Sequence, residues 1–354
     1  MSRFFSLTVL ARAFAIVLVL ATPGLGEDVA RMEEVVRSFT PNNRFMGAVL
    51  VARGESVLLN KGYGSANLEW EIPNSPSTRF RIGSVTKQFT AAAILLLEER
   101  GRLSVEDLVS KHLPDAPPAW AKVTVFHLLT HTSGIPNFTS FPDYQSTMSL
   151  PVTTDRLVAR FRDKPLEFEP GEKMNYSNSG YALLGYLIEK ISGQTYAQFL
   201  QENIFKPLGM SGSGYDSNFV IIPHRAAGYG PGPNGPVNAA FLHMTIPHGA
   251  GALYSTTEDL LRWNLALYGG KLLSAASLKK MTTSFKNNYG FGIGISAPGG
   301  PTRYAHNGGI NGFNSFLTYY PESRVTVVVL ANVNGPAADD LGGKLSALAL
   351  AGTP

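Results

Sequence analysis

The sequence predicts an α+β fold in which one antiparallel sheet is drawn from both ends of the chain and a helical region is inserted between its halves. Three observations carry this expectation. Two strand-like runs with a hairpin turn stand near the start, four more short strand-like runs stand near the end, and the stretch between them is helical and loop-rich. The chain has 354 residues, 44% of them apolar and 16% charged, a globular balance that excludes disorder, collagen and coiled coil and suffices for a sizeable core. It contains no cysteine. Disulfides, thiolate zinc sites and cysteine nucleophiles are therefore excluded, and acids, histidines and hydroxyls remain for chemistry.

The first residues read as a targeting segment. Arg3 and an interrupting Arg12 precede the uncharged run 13–21 and a small-residue exit at Pro23-Gly24-Leu25-Gly26. That run is too short for a membrane span of about 20 residues and suits a secretory leader. The expected division is a signal peptide over 1–26 and a mature domain over 27–354, exported to the periplasm or secreted; a short membrane anchor is the alternative. Without Arg3 and Arg12 the formal charge falls from +4 to +2. Lys and Arg are scattered with no cluster of four or more, so no nucleic-acid partner is expected.

Past the leader, Asp28–Ser38 has helical spacing through Val29, Met32, Val35 and Val36. Phe45–Arg53 and Ser56–Lys61 read as strands joined by a Gly54-Glu55 hairpin turn. Ser84–Arg100 is the strongest helix, apolar on most sides and stopped by Gly101, so it should run through the centre of the fold. From about 103 to 250, helical stretches such as Tyr181–Ile191 and Tyr196–Ile204 alternate with Pro/Gly-rich loops such as Ala227–Val237. The strand-like runs Tyr289–Ser296, Thr302–Asn307, Phe313–Tyr320 and Val325–Val333 follow, and Ala337–Ala351 reads as a last helix. Hairpin-linked consecutive strands imply antiparallel pairing. No internal repeat appears.

Several motifs fail. Gly230-Pro-Gly-Pro-Asn-Gly235 matches a dinucleotide pattern by letter, but it carries two prolines and has no strand before it, so it reads as a loop. The chain has no G-x-S-x-G elbow, no H-E-x-x-H and no Walker lysine loop. Its seven histidines lack acidic neighbours at ligand spacing, and no metal or other cofactor is expected.

The promising constellation begins at Ser84-Val-Thr-Lys87. Ser84 opens the buried helix, with backbone N–H groups and the positive end of the helix dipole beside it, and Lys87 lies one turn on along the same face. Attack by such a serine would create an oxyanion where donors are available, and burial of an amine lowers its pKa until it can accept a proton. A capping serine with a lysine reaching back to water also fits these residues. Ser277-Leu-Lys-Lys280 repeats the pattern on what reads as an exposed amphipathic helix, a solvated face.

Tyr176-Ser-Asn178 is the only Y-x-N; in an extended segment its phenol and amide point the same way, although a structural tyrosine and a helix cap would look alike. His306-Asn-Gly308-Gly309 is the only H-x-G, at the end of an expected strand. Its glycines would let a substrate backbone lie along the strand edge, and a Gly309 N–H could join that of Ser84 in an oxyanion hole; a Gly-rich turn is the plainer reading. Phe138, in the loop from Asn137, either lines the site or is a core aromatic.

In that order, S-x-x-K, Y-x-N and H-x-G resemble the motifs of the penicillin-recognising serine hydrolases. The likeness is strongest to the branch of class C β-lactamases, D-alanyl-D-alanine carboxypeptidases, D-aminopeptidases and related carboxylesterases. Segments 126–134, 170–185, 204–210 and 251–260 also read like that family, so the resemblance spans nearly all of the mature chain. It implies a β-lactamase/transpeptidase-like fold with the site between the sheet and a helical subdomain. It further implies Ser84 as acylated nucleophile, Lys87 as the partner that helps deprotonate it and Tyr176 as general base and acid. Asn178 would hold Lys87 and a substrate amide, and the Ser84 and Gly309 N–H groups would bind the oxyanion.

The implied function is a serine hydrolase acting through an acyl-enzyme on a small-molecule or peptide substrate, most similar to D-alanyl carboxypeptidases and aminopeptidases. A class C-like β-lactamase, a carboxylesterase and a non-catalytic muropeptide-binding protein are the alternatives. Two departures bear on the substrate: class C β-lactamases carry lysine where this chain has His306 and threonine where it has Asn307. A histidine with an ordinary pKa near 6.5 would hold a substrate carboxylate only at lower pH. Activity on such substrates is then expected to decline as pH rises through that value.

Overall fold

The structure, a computed structural model, describes residues 23–296 and 300–351, so most of the expected leader lies outside the described residues. Helix α1 spans Pro23–Arg37 and buries Met32 and Val36, beginning earlier than the spacing from Asp28 suggests. Strands β1 (Gly47–Arg53) and β2 (Ser56–Tyr63) form the expected hairpin, with Arg53 paired to Ser56 and Gly54 at φ +57°, the left-handed backbone a tight hairpin turn requires. Helix α2 (Thr86–Glu99) follows a single tight turn at Gly83–Val85 and is buried continuously from Thr86 to Leu97. Helices α3 (Asn178–Ser192) and α4 (Thr257–Tyr268) come from the middle of the chain. Strands β3 (Gly294–Ile295), β4 (Tyr304–Ile310), β5 (Phe313–Tyr320) and β6 (Val325–Ala331) and helix α5 (Ala337–Ala351) complete the C-terminal part.

The six strands make one antiparallel sheet in the order β3-β4-β5-β6-β1-β2. Its two halves meet where β1 pairs with β6, from Gly47 opposite Ala331 to Arg53 opposite Val325. Both faces of these central strands are covered, which is why their sequences are almost uninterrupted apolar runs. Val49, Val51, Val325, Val327 and Val329 pack with α1 and α5, whereas Ala48, Leu50, Val328 and Leu330 pack toward α2 and α4. Phe89 of α2 stacks on Trp263 of α4 at 3.9 Å, and the Trp263 indole N–H donates to Gln88 Oε1 at 2.9 Å. Among the described residues no helix is long and apolar enough to cross a membrane.

Three expectations need correction. Tyr289–Ser296 is strand only at Gly294–Ile295, because the Gly290 N–H donates to the Ile293 carbonyl and Gly292 takes φ +68°, closing a turn where the periodicity suggested an extended run. The strand expected to stop at Asn307 continues to Ile310, paired with β5 along its whole length, so Gly308 and Gly309 lie inside it. Ser277 is buried, bonded to the capping Ser274, while Lys280 pairs at the surface with Glu98 at 2.8 Å; serine and lysine part company there. The 230–235 loop links two paired dipeptides, Tyr229–Gly230 and Val237–Asn238, and is only a turn.

Candidate active site

Ser84 sits in the tight turn that opens α2. Gly83, before it, has φ +48°, and a Cβ there would come within 3.0 Å of the Gly309 backbone nitrogen. Glycine is thus what lets β4 press against the turn and brings the backbone of Gly309 beside Ser84. One turn into α2, Lys87 is completely buried, and its Nζ lies 3.0 Å from Ser84 Oγ, 2.9 Å from Asn178 Oδ1 and 2.8 Å from the Ala250 carbonyl oxygen. Burial holds its pKa well below the ordinary lysine value. A neutral amine has two protons and one lone pair. The two oxygens of Asn178 and Ala250 can only accept, so an amine in this neutral form would give them its protons and turn its lone pair to the Ser84 hydroxyl.

The helical insertion supplies the opposite wall. Asn178 is the first residue of α3, with Ser177 at the cap position, so it is not itself the cap. Its backbone N–H donates to Asn137 Oδ1 at 3.1 Å and its side-chain amide donates to Thr139 Oγ1 at 3.1 Å, which turns Oδ1 toward Lys87. Tyr176 is half-buried with its ring 4.7 Å from Lys87 Nζ. Burial pushes its pKa up, against a smaller opposite effect of a hydrogen bond with Ser84, so the phenol keeps its proton. Phe138 is fully buried, a core aromatic beneath the cleft.

The third motif behaves differently from expectation. The His306 ring is buried, with Nδ1 2.6 Å from the Asn307 carbonyl and Nε2 2.9 Å from the Tyr289 hydroxyl. Nδ1–H must donate to the carbonyl, so Nε2 is bare and accepts from the phenol. Burial, with the nearby Lys87 adding to it, pushes the His306 pKa down to about 3. The ring is a neutral packing element and not a titrating cation at the cleft. Gly308 is buried too; a Cβ there would meet the Ile82 carbonyl oxygen at 2.1 Å, so this glycine serves strand packing and does not line the cleft. Gly309 does line it.

His131 was not singled out by its chemistry in the sequence, although it stands in the family-like 126–134 segment. It holds Tyr176 from three sides. Its carbonyl accepts the Asn175 N–H at 2.9 Å, its Nδ1 accepts the Ser177 N–H at 3.1 Å, and its ring lies 4.3 Å from that of Tyr176. It does so at φ +58°, a strained backbone for a residue that is not glycine. Burial pushes its pKa well down. Asn137 and Thr139 lie in the loop from Asn137 and Tyr289 in an expected strand, but none was given a role of its own, and Ala250 contributes only a carbonyl, which no side-chain pattern signals.

In front of Ser84 lies a cleft of about 200 Å³, walled by Gly309, Ile310 and Asn311 from the sheet side and by Phe138, Tyr144 and Leu242 from the insertion. A larger groove, about 690 Å³, lies around the C-terminal half of α3 and holds none of the motif residues. Among the described residues no group of His, Asp and Glu is placed to bind a metal ion.

A sequence model of the beta-lactamase family matches residues 32–351. The chain belongs to that family. Relatives include penicillin-binding protein 4* of Bacillus subtilis (strain 168), 31% identical over 325 residues that cover 85% of this chain and 71% of the relative. Among solved structures, a penicillin-binding protein from Bacillus halodurans is 31% identical with a TM-score of 0.80, covering 90% of this chain and 98% of its own. A D-stereospecific amidohydrolase from Streptomyces sp. is 27% identical with a TM-score of 0.73, covering 88% and 95%. The penicillin-recognising serine hydrolase resemblance and the β-lactamase/transpeptidase-like α+β fold are thereby established.

Proposed function

We propose that this member of the beta-lactamase family is a serine acyl hydrolase that cleaves an amide, peptide or ester bond through an acyl-enzyme on Ser84. The observation that carries the reading is the buried Lys87 amine, 3.0 Å from Ser84 Oγ and anchored by the carbonyl oxygens of Asn178 and Ala250. Lys87 takes the Ser84 proton as Oγ attacks the acyl carbon. The backbone N–H groups of Ser84 and Gly309 receive the oxyanion, a contribution typically worth about 3 to 4 kcal/mol per donor. Tyr176, protonated and in contact with Ser84, passes a proton to the leaving group and recovers one from the water that hydrolyses the ester. This division of labour modifies the one implied by resemblance, because a phenol with a raised pKa is a poor base in the free enzyme.

Similarity to a D-stereospecific amidohydrolase and to penicillin-binding proteins supports amides and peptides of D-configured residues as the substrate range. With the leader over 1–26, the activity belongs outside the cytoplasmic membrane. Intact-protein mass after incubation with a fluorophosphonate and with benzylpenicillin tests the reading. A covalent adduct with the phosphonate in the native chain, lost in Ser84→Ala, is expected. No adduct, or one that survives in Ser84→Ala, would make the non-catalytic binding protein the better reading.

A further inference from the structure

The cleft before Ser84 carries no charge. None of its lining side chains is acidic or basic, and the nearby basic groups are committed elsewhere. His306 is turned away, with Nδ1 on the Asn307 carbonyl and Nε2 on the Tyr289 hydroxyl. Arg81 is ion-paired with the fully buried Asp216 and lies over the Phe313 ring, Arg225 pairs with the same carboxylate at 2.6 Å, and Lys286 donates to the Glu172 carbonyl. Lys87 has its three partners at the base of the site. A carboxylate brought beside the scissile bond would lose water and gain no counter-charge, and an ammonium group would meet no acid. What the cleft does offer is apolar surface from the partly exposed Tyr144, Pro247 and Ile310, backed by the buried Phe138 and Leu242.

We propose that the acyl site selects a substrate uncharged on both sides of the scissile bond, a neutral ester or amide whose apolar group packs against Tyr144, Pro247 and Ile310, and discriminates against carboxylate-bearing substrates. The inference rests on Ser84 being the acylated nucleophile and narrows that reading, setting aside carboxypeptidase and β-lactamase activity, whose substrates carry a carboxylate. The chemistry balances without a co-reactant other than water. Ser84 Oγ bonds to the acyl carbon as the bond to the leaving alcohol or amine breaks; the serine proton goes to Lys87 and the leaving group takes one from Tyr176. Water then displaces the acyl group, giving a proton back to Tyr176 while Lys87 returns the serine proton to Oγ, and an acid is freed. That acid ionises in a cleft with no counter-charge, which favours its departure.

The test compares kcat/KM for ester pairs that differ by one carboxylate: phenyl acetate against 3-carboxyphenyl acetate on the leaving side, and p-nitrophenyl butyrate against p-nitrophenyl hydrogen succinate on the acyl side. The neutral member of each pair is expected to react at least tenfold faster. Asn311→Arg, which places a cation on the cleft wall, is expected to narrow both ratios, with turnover of the neutral esters reporting that the variant is folded. Equal or faster reaction of the charged members, or ratios that do not move in Asn311→Arg, would overturn the selection while leaving Ser84 acylation intact. Failure of a fluorophosphonate and of all four esters to acylate Ser84 would instead defeat the underlying hydrolase reading, and the selection with it.

Discussion

At the scale of the residue, the decisive fact is the protonation of groups taken out of water. Ser84, Lys87, Tyr176, Asn178 and Gly309 could be picked from the sequence because their motifs are rare in the chain and occur in order. Their charge states could not, because those depend on who surrounds each group in three dimensions. His306 shows the difference: an imidazole of ordinary pKa holding a substrate carboxylate was expected, and a buried neutral one is found, donating to Asn307 and accepting from Tyr289. Its folded pKa, about 3, lies below the ordinary 6.5. Between those values the unfolded chain binds a proton that the folded chain refuses, so the native state loses stability as pH falls from 6.5 toward 3 and holds it fully above 6.5. At about 1.36 kcal/mol per unit the ceiling from this one residue is roughly 4 to 5 kcal/mol. Urea unfolding at pH 7 and pH 4 is expected to show that slope, reduced in His306→Phe; an unchanged slope would mean the ring titrates normally. By the same reasoning His306 imposes no break on activity between pH 5 and 9.

At the scale of the element, the helices and the hairpin were legible because local signals agree. Gly54 in the turn, Gly101 after the central helix and the 3.6-residue spacing of α1 each say the same thing as the tertiary structure does. Gly308 was misread as a substrate contact, since a glycine in sequence does not say which backbone approaches it. In the fold it admits the Ile82 carbonyl against β4, beside the Ser315 hydroxyl that donates to the same oxygen at 2.8 Å. Gly308→Ala must therefore push β4 away from the Ser84 turn, with an expected loss of about 3 kcal/mol and of acylation together. Gly309→Ala meets nothing nearer than Asn314 Nδ2 at 3.6 Å and is expected to melt within a few degrees of the parent. Thermal melts of the two variants side by side make the comparison; equal melting temperatures would contradict the packing argument.

At the scale of the whole molecule, the sheet that joins residue 47 to residue 331 brings Ser84 and Gly309 together, and the insertion lays Tyr176 and Asn178 across from them. The sequence could suggest that its two ends share a sheet, because both ends read as strands around a helical centre. It could not show that the resulting cleft is uncharged, which emerges only when Arg81, Arg225, Lys286 and His306 are all seen bound elsewhere. The account stands or falls on Lys87 being a neutral amine that takes the Ser84 proton. The most direct measurement is the pH dependence of the acylation burst with p-nitrophenyl acetate, from pH 4 to 10, in the native chain and in Lys87→Arg. A rate that rises through an apparent pKa well below the ordinary lysine value of 10.5 and levels off before pH 10, with Lys87→Arg slower by three orders of magnitude or more, is the expected result. A rate that climbs steadily to pH 10, or that survives in Lys87→Arg, would contradict it.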